Sequence, residues 1–251
     1  MPATLTIADW TALAIFLIAW LLYEPFLKAA GRPGGLINTD MTVIRRAWMR
    51  NLVVRENQFM DGQLLGQVLN SSSFFASSNL ILIAGAASTL LHGDESYKSA
   101  AALAVIKTSS RNLFEAQVAL IVLTLARGLL AFIWSIRQVH YCLAALGAAP
   151  PTDRRASAEP YADAVARLLN PALSSFNAGV RSYYFAAAAA AWLFGPWAFM
   201  GATTVAVALL FWRQKLSPAA AAIASIRAIL EETTVDPKSN QSTHEEKIHA
   251  E

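Results

Sequence analysis

The sequence predicts an all-α protein: a polytopic membrane helix bundle with about four spans and a long amphipathic helix before the second. Three observations predict it. The 251 residues are 55% hydrophobic and only 15% charged, where a soluble domain carries about 25% charge. The apolar residues come in blocks near the about 20 residues that a bilayer core requires. The charges collect between those blocks. The net charge of +3 suits basic loops, and with no long basic run it does not point to nucleic acid. The one cysteine, Cys142, excludes an internal disulfide and reads as a buried thiol at the end of an apolar helix.

The elements follow in order. The first block, about 10–27, starts near Trp10 and is strongest up to Tyr23. It lacks the basic leader of a signal peptide and ends Leu21-Leu22-Tyr23-Glu24-Pro25 without a small-residue cleavage site, so it reads as a retained span. Glu24-Pro25 and Arg32-Pro33-Gly34-Gly35 read as a loop. A helix is expected from Met41, capped by Thr39 or Asp40. It carries Ile44, Trp48, Leu52 and Phe59 on one face, with Arg45, Arg46 and Arg50 mainly off it. No proline separates it from span two (72–91), so it is expected to run on into the membrane. Small residues, among them Ser77, Ser78, Gly85 and Ala86, suit span two for close helix contact. A helical piece is expected at Ser99 to Ile106.

Span three (113–136) extends toward Leu146, and Gly147 to Pro151 stop it. A short helix, Ala162 to Leu169, is expected in the polar stretch that follows. The last block (183–212) is long for one span and contains Gly195-Pro196. A proline in a helix interior costs about 3 kcal/mol unless a kink or break absorbs it. One long kinked span is expected, with a hairpin of two segments as the alternative. Residues 1–217 form the membrane domain; 218–251 read as a polar tail, disordered from Glu231 onward.

Lys and Arg concentrate in cytoplasmic loops. Lys28, Arg32, Arg45, Arg46, Arg50 and Arg55 lie between spans one and two. Arg137, Arg154, Arg155, Arg167 and Arg181 follow span three. The amino terminus is therefore expected outside. A single last crossing would leave Arg213 and Lys215 outside as well, against the rule; a hairpin would return them inside.

Several residues are candidates for chemistry. Arg127 lies about 21 Å along span three from Leu113, where an arginine costs about 2.5–3.5 kcal/mol on insertion scales. Asn79 of the antiparallel span two falls at a similar depth. The pair reads as an anion or selectivity site, or as a structural hydrogen bond with Arg127 snorkelling to the inner face. Glu115 near the outer end reads as a first-turn acid favoured by the helix dipole, or as a cation site. Arg55, Asn57 and Asp61 form a polar group in which Asn57 and Asp61 share a face at i,i+4 and Arg55 and Asp61 do not. Arg137 and Gln138 at the inner end of span three are expected to join that group. His92 and His140 fall on opposite sides, and no Cys/His cluster, HExxH, P-loop or GxGxxG occurs. Ser77 has no recognisable catalytic partners. No enzyme activity, cofactor or metal is therefore expected.

An ordered series of short motifs spans the chain: Arg45-Arg46-Ala47-Trp48-Met49, Arg55-Glu56-Asn57 with Asp61, Phe74-Phe75-Ala76-Ser77, Trp134-Ser135-Ile136-Arg137-Gln138, Tyr141-Cys142 and Gly147-Ala148-Ala149-Pro150. In this order it resembles the DUF599 family of integral membrane proteins over roughly residues 5–215. The resemblance implies a multi-helix membrane protein of a kind found in bacteria and plants, and brings no biochemical function. His140 and Arg127 depart from the family pattern, where an Asn and an aromatic stretch are usual.

The leading expectation is a small channel or transporter subunit of a cell membrane, the bacterial inner membrane. Four helices leave little room for a pore in one chain, so a homo-oligomer is expected. The alternative is a scaffold or regulatory protein whose helix from Met41 docks a partner or anionic lipid at the inner face, through Arg45, Arg46, Trp48 and Arg50, each exposed basic residue adding about 1 kcal/mol.

Overall fold

The computed structural model describes residues 6–30, 36–55, 57–102, 110–149 and 155–235. In a lipid solvent every backbone N–H and C=O must be satisfied within the chain, which leaves helices as the answer to long apolar blocks. The described residues form α1 (Ile7–Ala30), α2 (Ile37–Val53), α3 (Phe59–Leu91), α4 (Gly93–Ala102), α5 (Arg111–Gly147), α6 (Arg155–Ala190), α7 (Pro196–Lys215) and α8 (Pro218–Val235), with a 3-10 turn at Ala191–Phe194 and no strand. Among the described residues three helices are long and apolar enough to cross a membrane: α1 over Ile7–Leu27, α3 and α5. Their outer faces leave Ile18, Phe74, Ile81, Leu123 and Leu130 exposed, a surface suited to hydrocarbon rather than water.

Helices α5 and α6 run side by side as the spine, each about 55 Å long. Their crossing depends on glycines. A Cβ at Gly128 would stand 1.8 Å from Ser182 Oγ, and one at Gly179 would stand 2.6 Å from the Phe132 ring. Two cores lie along the spine. Toward the start of α1, Phe16, Phe185, Trp192 and Phe199 pack together, with Trp192 stacked on Phe199 at 5.0 Å. Toward the other end, Met49, Leu52, Leu65, Val139 and Leu169 form the second. That second end also holds α8, whose Arg227 pairs with Asp40 of α2 at 3.0 Å. It is called the basic end below.

The all-α membrane-type architecture is as expected; several boundaries differ. The last block is the hairpin alternative, not one kinked span. Gly195 adopts φ 109°, a conformation that favours glycine, and Pro196 opens α7, where its missing N–H costs nothing. Arg213 donates to the Tyr184 hydroxyl, whereas one unbroken helix would separate these residues by about 43 Å. The turn is pinned by Trp192, whose indole N–H donates to Asp9 at 2.9 Å and whose carbonyl accepts from Gln117 at 3.0 Å.

The helix expected from Met41 starts at Ile37 with Leu36, not Thr39 or Asp40, at its cap. It does not run on into span two, because the chain breaks between Val53 and Phe59. Helix α1 passes through Pro25 instead of looping there. The polar stretch after span three is no short helix in a loop but the first half of α6, which carries Pro160 and Pro171. Both prolines are exposed, while the helix stays packed along α5. The piece expected at Ser99 to Ile106 is α4, ending at Ala102, and 103–109 lie outside the described residues. Residues 218–235 form α8 rather than a loose tail, so residues 231–235 are helical; 236–251 lie outside the described residues.

Candidate functional site

The guanidiniums of α2 face α6. Arg46 makes a bidentate bond to Asp163, its Nε at 2.7 Å from Oδ1. Arg50 reaches the same carboxylate at 3.2 Å and Glu159 at 2.9 Å. These two arginines hold the Asp163 carboxyl well below the usual carboxylate range. Arg46 and Arg50, expected to face lipid, are thus inter-helix ties. Glu159 and Asp163, an i,i+4 acidic pair in the polar stretch, were the missed signal.

The break after α2 brings together residues that one helix would hold apart. Arg55 Nη1 pairs with both oxygens of Asp61, at 3.0 and 3.1 Å, and Trp48 Nε1 donates to the same buried carboxylate at 2.7 Å. Asn57 lies outside the helix, one residue before the Gln58 cap, and accepts from Phe59 N–H at 3.0 Å instead of sharing a helical face with Asp61. Arg137 donates to Tyr141 at 3.2 Å within its own helix. The Gln138 side-chain oxygen is buried with no partner. Among the described residues neither bonds the Arg55–Asp61 group, contrary to expectation.

Asn79 is a structural tie, its amide donating to the Leu125 carbonyl at 2.9 Å in a buried setting. It reaches the expected depth but turns to the backbone of α5. Glu115 pairs with Arg111 at 2.7 Å, and Arg111 with Asp94 at 2.6 Å, a cluster at the end opposite the basic one. Arg127 is exposed and lies over the Trp20 ring, 5.2 Å from its centroid.

A cavity with several charged side chains in its wall is built by residues that spacing did not connect. A cavity of about 360 Å³ opens among α1, α2, α6 and α7, lined by Glu24, Asn38, Arg45, Asn170, Arg181 and Gln214 among others. Arg181 pairs with Glu24 at 3.2 Å. Arg45 is only 8% exposed. Its bond to Asn170 is long, 3.4 Å from Nη1, and its Nε has no partner among the described residues. Burial pulls its pKa down to about 10, so it stays charged at neutral pH. Arg127 joins Glu24 and Arg181 around a small pocket beside the cavity. Arg45 and Arg181 thus share the cavity with Glu24, its one lining carboxylate, leaving an excess of positive charge in a partly dry space. A buried, under-satisfied guanidinium is a ready donor to carboxylate or phosphate oxygens. Among the described residues no group of three His, Cys, Asp or Glu could hold a metal ion.

Comparison with curated proteins and with solved structures returned no match. A family model described as "Protein of unknown function, DUF599" matches residues 11–219. With the motif series from Arg45 to Pro150 inside that match, the chain belongs to the DUF599 family.

Proposed function

We propose that the chain is an anion-binding subunit of a small membrane transporter or channel, with the cavity around Arg45 and Arg181 as its ligand site. The observation that carries the reading is Arg45, buried and charged, with its Nε unpaired beside a cavity that holds a single carboxylate. Such a group costs free energy until an anion completes it. Arg45, Arg46, Arg50, Arg213, Lys215 and Arg227 all belong to α2, α7 and α8 at one end, which the positive-inside rule assigns to the cytoplasm of a bacterial cell. The cavity then takes its anion from the inside. Phe16, Phe185, Trp192 and Phe199 fill the bundle beyond it, so passage through one chain requires those rings to move. A path between copies is the other route, and the homo-oligomer is part of the proposal.

The scaffold alternative draws less support. It needs the basic face of α2 free, and Arg46 and Arg50 already face Asp163 and Glu159.

The test is titration of the detergent-purified chain with inorganic phosphate and with malonate, read as a rise in melting temperature. A dose-dependent rise is expected for at least one of them, weakened about tenfold or more in Arg45→Ala, as for loss of a charge-assisted bond. Uptake of the same anion into proteoliposomes, lowered in Arg45→Ala, is expected alongside. No rise with either anion, or the same rise in Arg45→Ala, refutes the site; binding without uptake refutes the transport part alone.

A further inference from the structure

A second polar feature lies outside the cavity, on the lipid-facing side of α5. Arg127, Leu130, Ile133, Trp134 and Arg137 line one wall of an open groove of about 690 Å³, with Ser174 and Ala178 of α6 opposite. Its composition is divided. Leu130, Ile133 and Trp134 are exposed apolar side chains, continuous with the face of α5 that suits hydrocarbon. Arg127 and Arg137 stand at either side of them, about 15 Å apart along the helix axis.

Neither guanidinium has a carboxylate partner among the described residues. Arg127 has the Trp20 ring and Arg137 the Tyr141 hydroxyl. Glu24, the carboxylate on the groove wall, bonds Arg181. Arginine within an apolar span is costly unless it meets an anion or the interface. Arg127 lies about 24 Å along α5 from Arg111, and Trp134 about 35 Å, so they bracket the inner edge of a hydrocarbon core about 30 Å thick. Two unmatched cations with an exposed apolar rail between them, at headgroup depth, are complementary to an anionic amphiphile.

We propose that this groove binds one anionic phospholipid of the leaflet at the basic end, its phosphodiester held between Arg127 and Arg137 beside Ile133 and Trp134 and its acyl chains running into the core past Leu130 toward Leu123. The lipid supplies the negative charge that the described residues around the groove do not. The site adjoins the Arg45 cavity but does not depend on it, since Arg45 does not line the groove. It also relocates the anionic-lipid contact from α2, whose Arg46 and Arg50 are paired with Asp163, to α5.

The test is native mass spectrometry of the full-length protein from detergent, with equimolar phosphatidylglycerol and phosphatidylcholine. One phosphatidylglycerol is expected to be retained in preference by about tenfold or more. Arg127→Gln with Arg137→Gln abolishes the preference, Arg127→Lys with Arg137→Lys keeps part of it, and Arg45→Ala leaves it intact. Glycerol phosphate in excess is expected not to displace the lipid. Equal retention of the two lipids, an unchanged preference in the double glutamine variant, or displacement by glycerol phosphate would each overturn the proposal, the last in favour of a soluble phosphate. Should the glutamine variant fail to fold, tryptophan quenching of the wild-type protein decides. Brominated phosphatidylglycerol must quench more strongly than brominated phosphatidylcholine, and the excess must vanish in Trp134→Phe, because Trp134 lines the groove; equal quenching, or an excess that survives in Trp134→Phe, overturns the proposal.

Discussion

Gly128→Ala tests the crossing of α5 and α6 on which every site described above rests. The added Cβ would fall 1.8 Å from Ser182 Oγ, 2.7 Å from Ser182 Cβ and 3.0 Å from Asn79 Nδ2. A rotation of Ser182 removes the first contact but not the second, because Cβ is fixed to the backbone. The helices must therefore separate, and the Asn79 bond to Leu125 is strained with them. Overpacking of this kind costs about 1–3 kcal/mol, and the upper end applies where backbone must move. Replacing a helical glycine by alanine returns about 1 kcal/mol of propensity, so a net loss of about 2 kcal/mol is expected. For a chain of this size that lowers the melting temperature by about 4–8 °C. Cys142, the only cysteine and a buried one, allows a direct assay: a thiol-reactive dye reports unfolding as the thiol becomes accessible. Ser182→Gly removes both offending atoms, so the double variant must recover most of the loss relative to Ser182→Gly alone, a coupling of about 2 kcal/mol in the cycle. Wild-type melting in Gly128→Ala, or a double variant in which the two losses simply add, would refute the packing argument.

Two further predictions concern the basic end. The depressed pKa of Asp163 means that its ion pairs with Arg46 and Arg50 contribute fully above the unfolded carboxylate value of about 3.9 and are lost as pH falls below it. Asp163→Asn is expected to cost about 1 kcal/mol at neutral pH, discounted because Arg46 is half exposed; its melting temperature should converge on that of the wild type in acid, and a gap that persists there would count against the pairing. Arg227→Ala should free α8 from Asp40 and raise the rate of protease cleavage between α7 and α8 about tenfold. Unchanged proteolysis would mean that apolar contact alone holds α8.

Much of this architecture was legible in the sequence. The apolar run to Leu146 and the Gly147–Pro151 stop marked α5 closely, and Gly195-Pro196 marked a discontinuity. Whether that discontinuity was a kink or a reversal depended on Tyr184 meeting Arg213, and only the placement of Arg213 and Lys215 hinted at it. Pro25 misled in the other direction: it read as part of a loop, yet α1 continues through it, as α6 does through Pro160 and Pro171, because lateral packing can outweigh one lost backbone bond. The site was the least legible part. Glu24 and Arg181 are 157 residues apart and Arg45 and Asn170 are 125 apart, and no helical periodicity connects such pairs. Arg55 and Asp61 meet only because the chain breaks between them, which an unbroken helix from Met41 did not allow for.

The most direct test of the anion cavity is its electrostatic signature from a defined side of the membrane. Thr39 lines the cavity, and Thr39→Cys in a Cys142→Ser background places one reporter thiol there. The rates of modification by an anionic and a cationic methanethiosulfonate of similar size would be compared in inside-out and right-side-out vesicles. The account predicts faster reaction with the anionic reagent, only from the side that bears α2 and α8, with the preference lost when Arg45→Ala is added. Equal rates, a cationic preference, or labelling from the opposite side would contradict it.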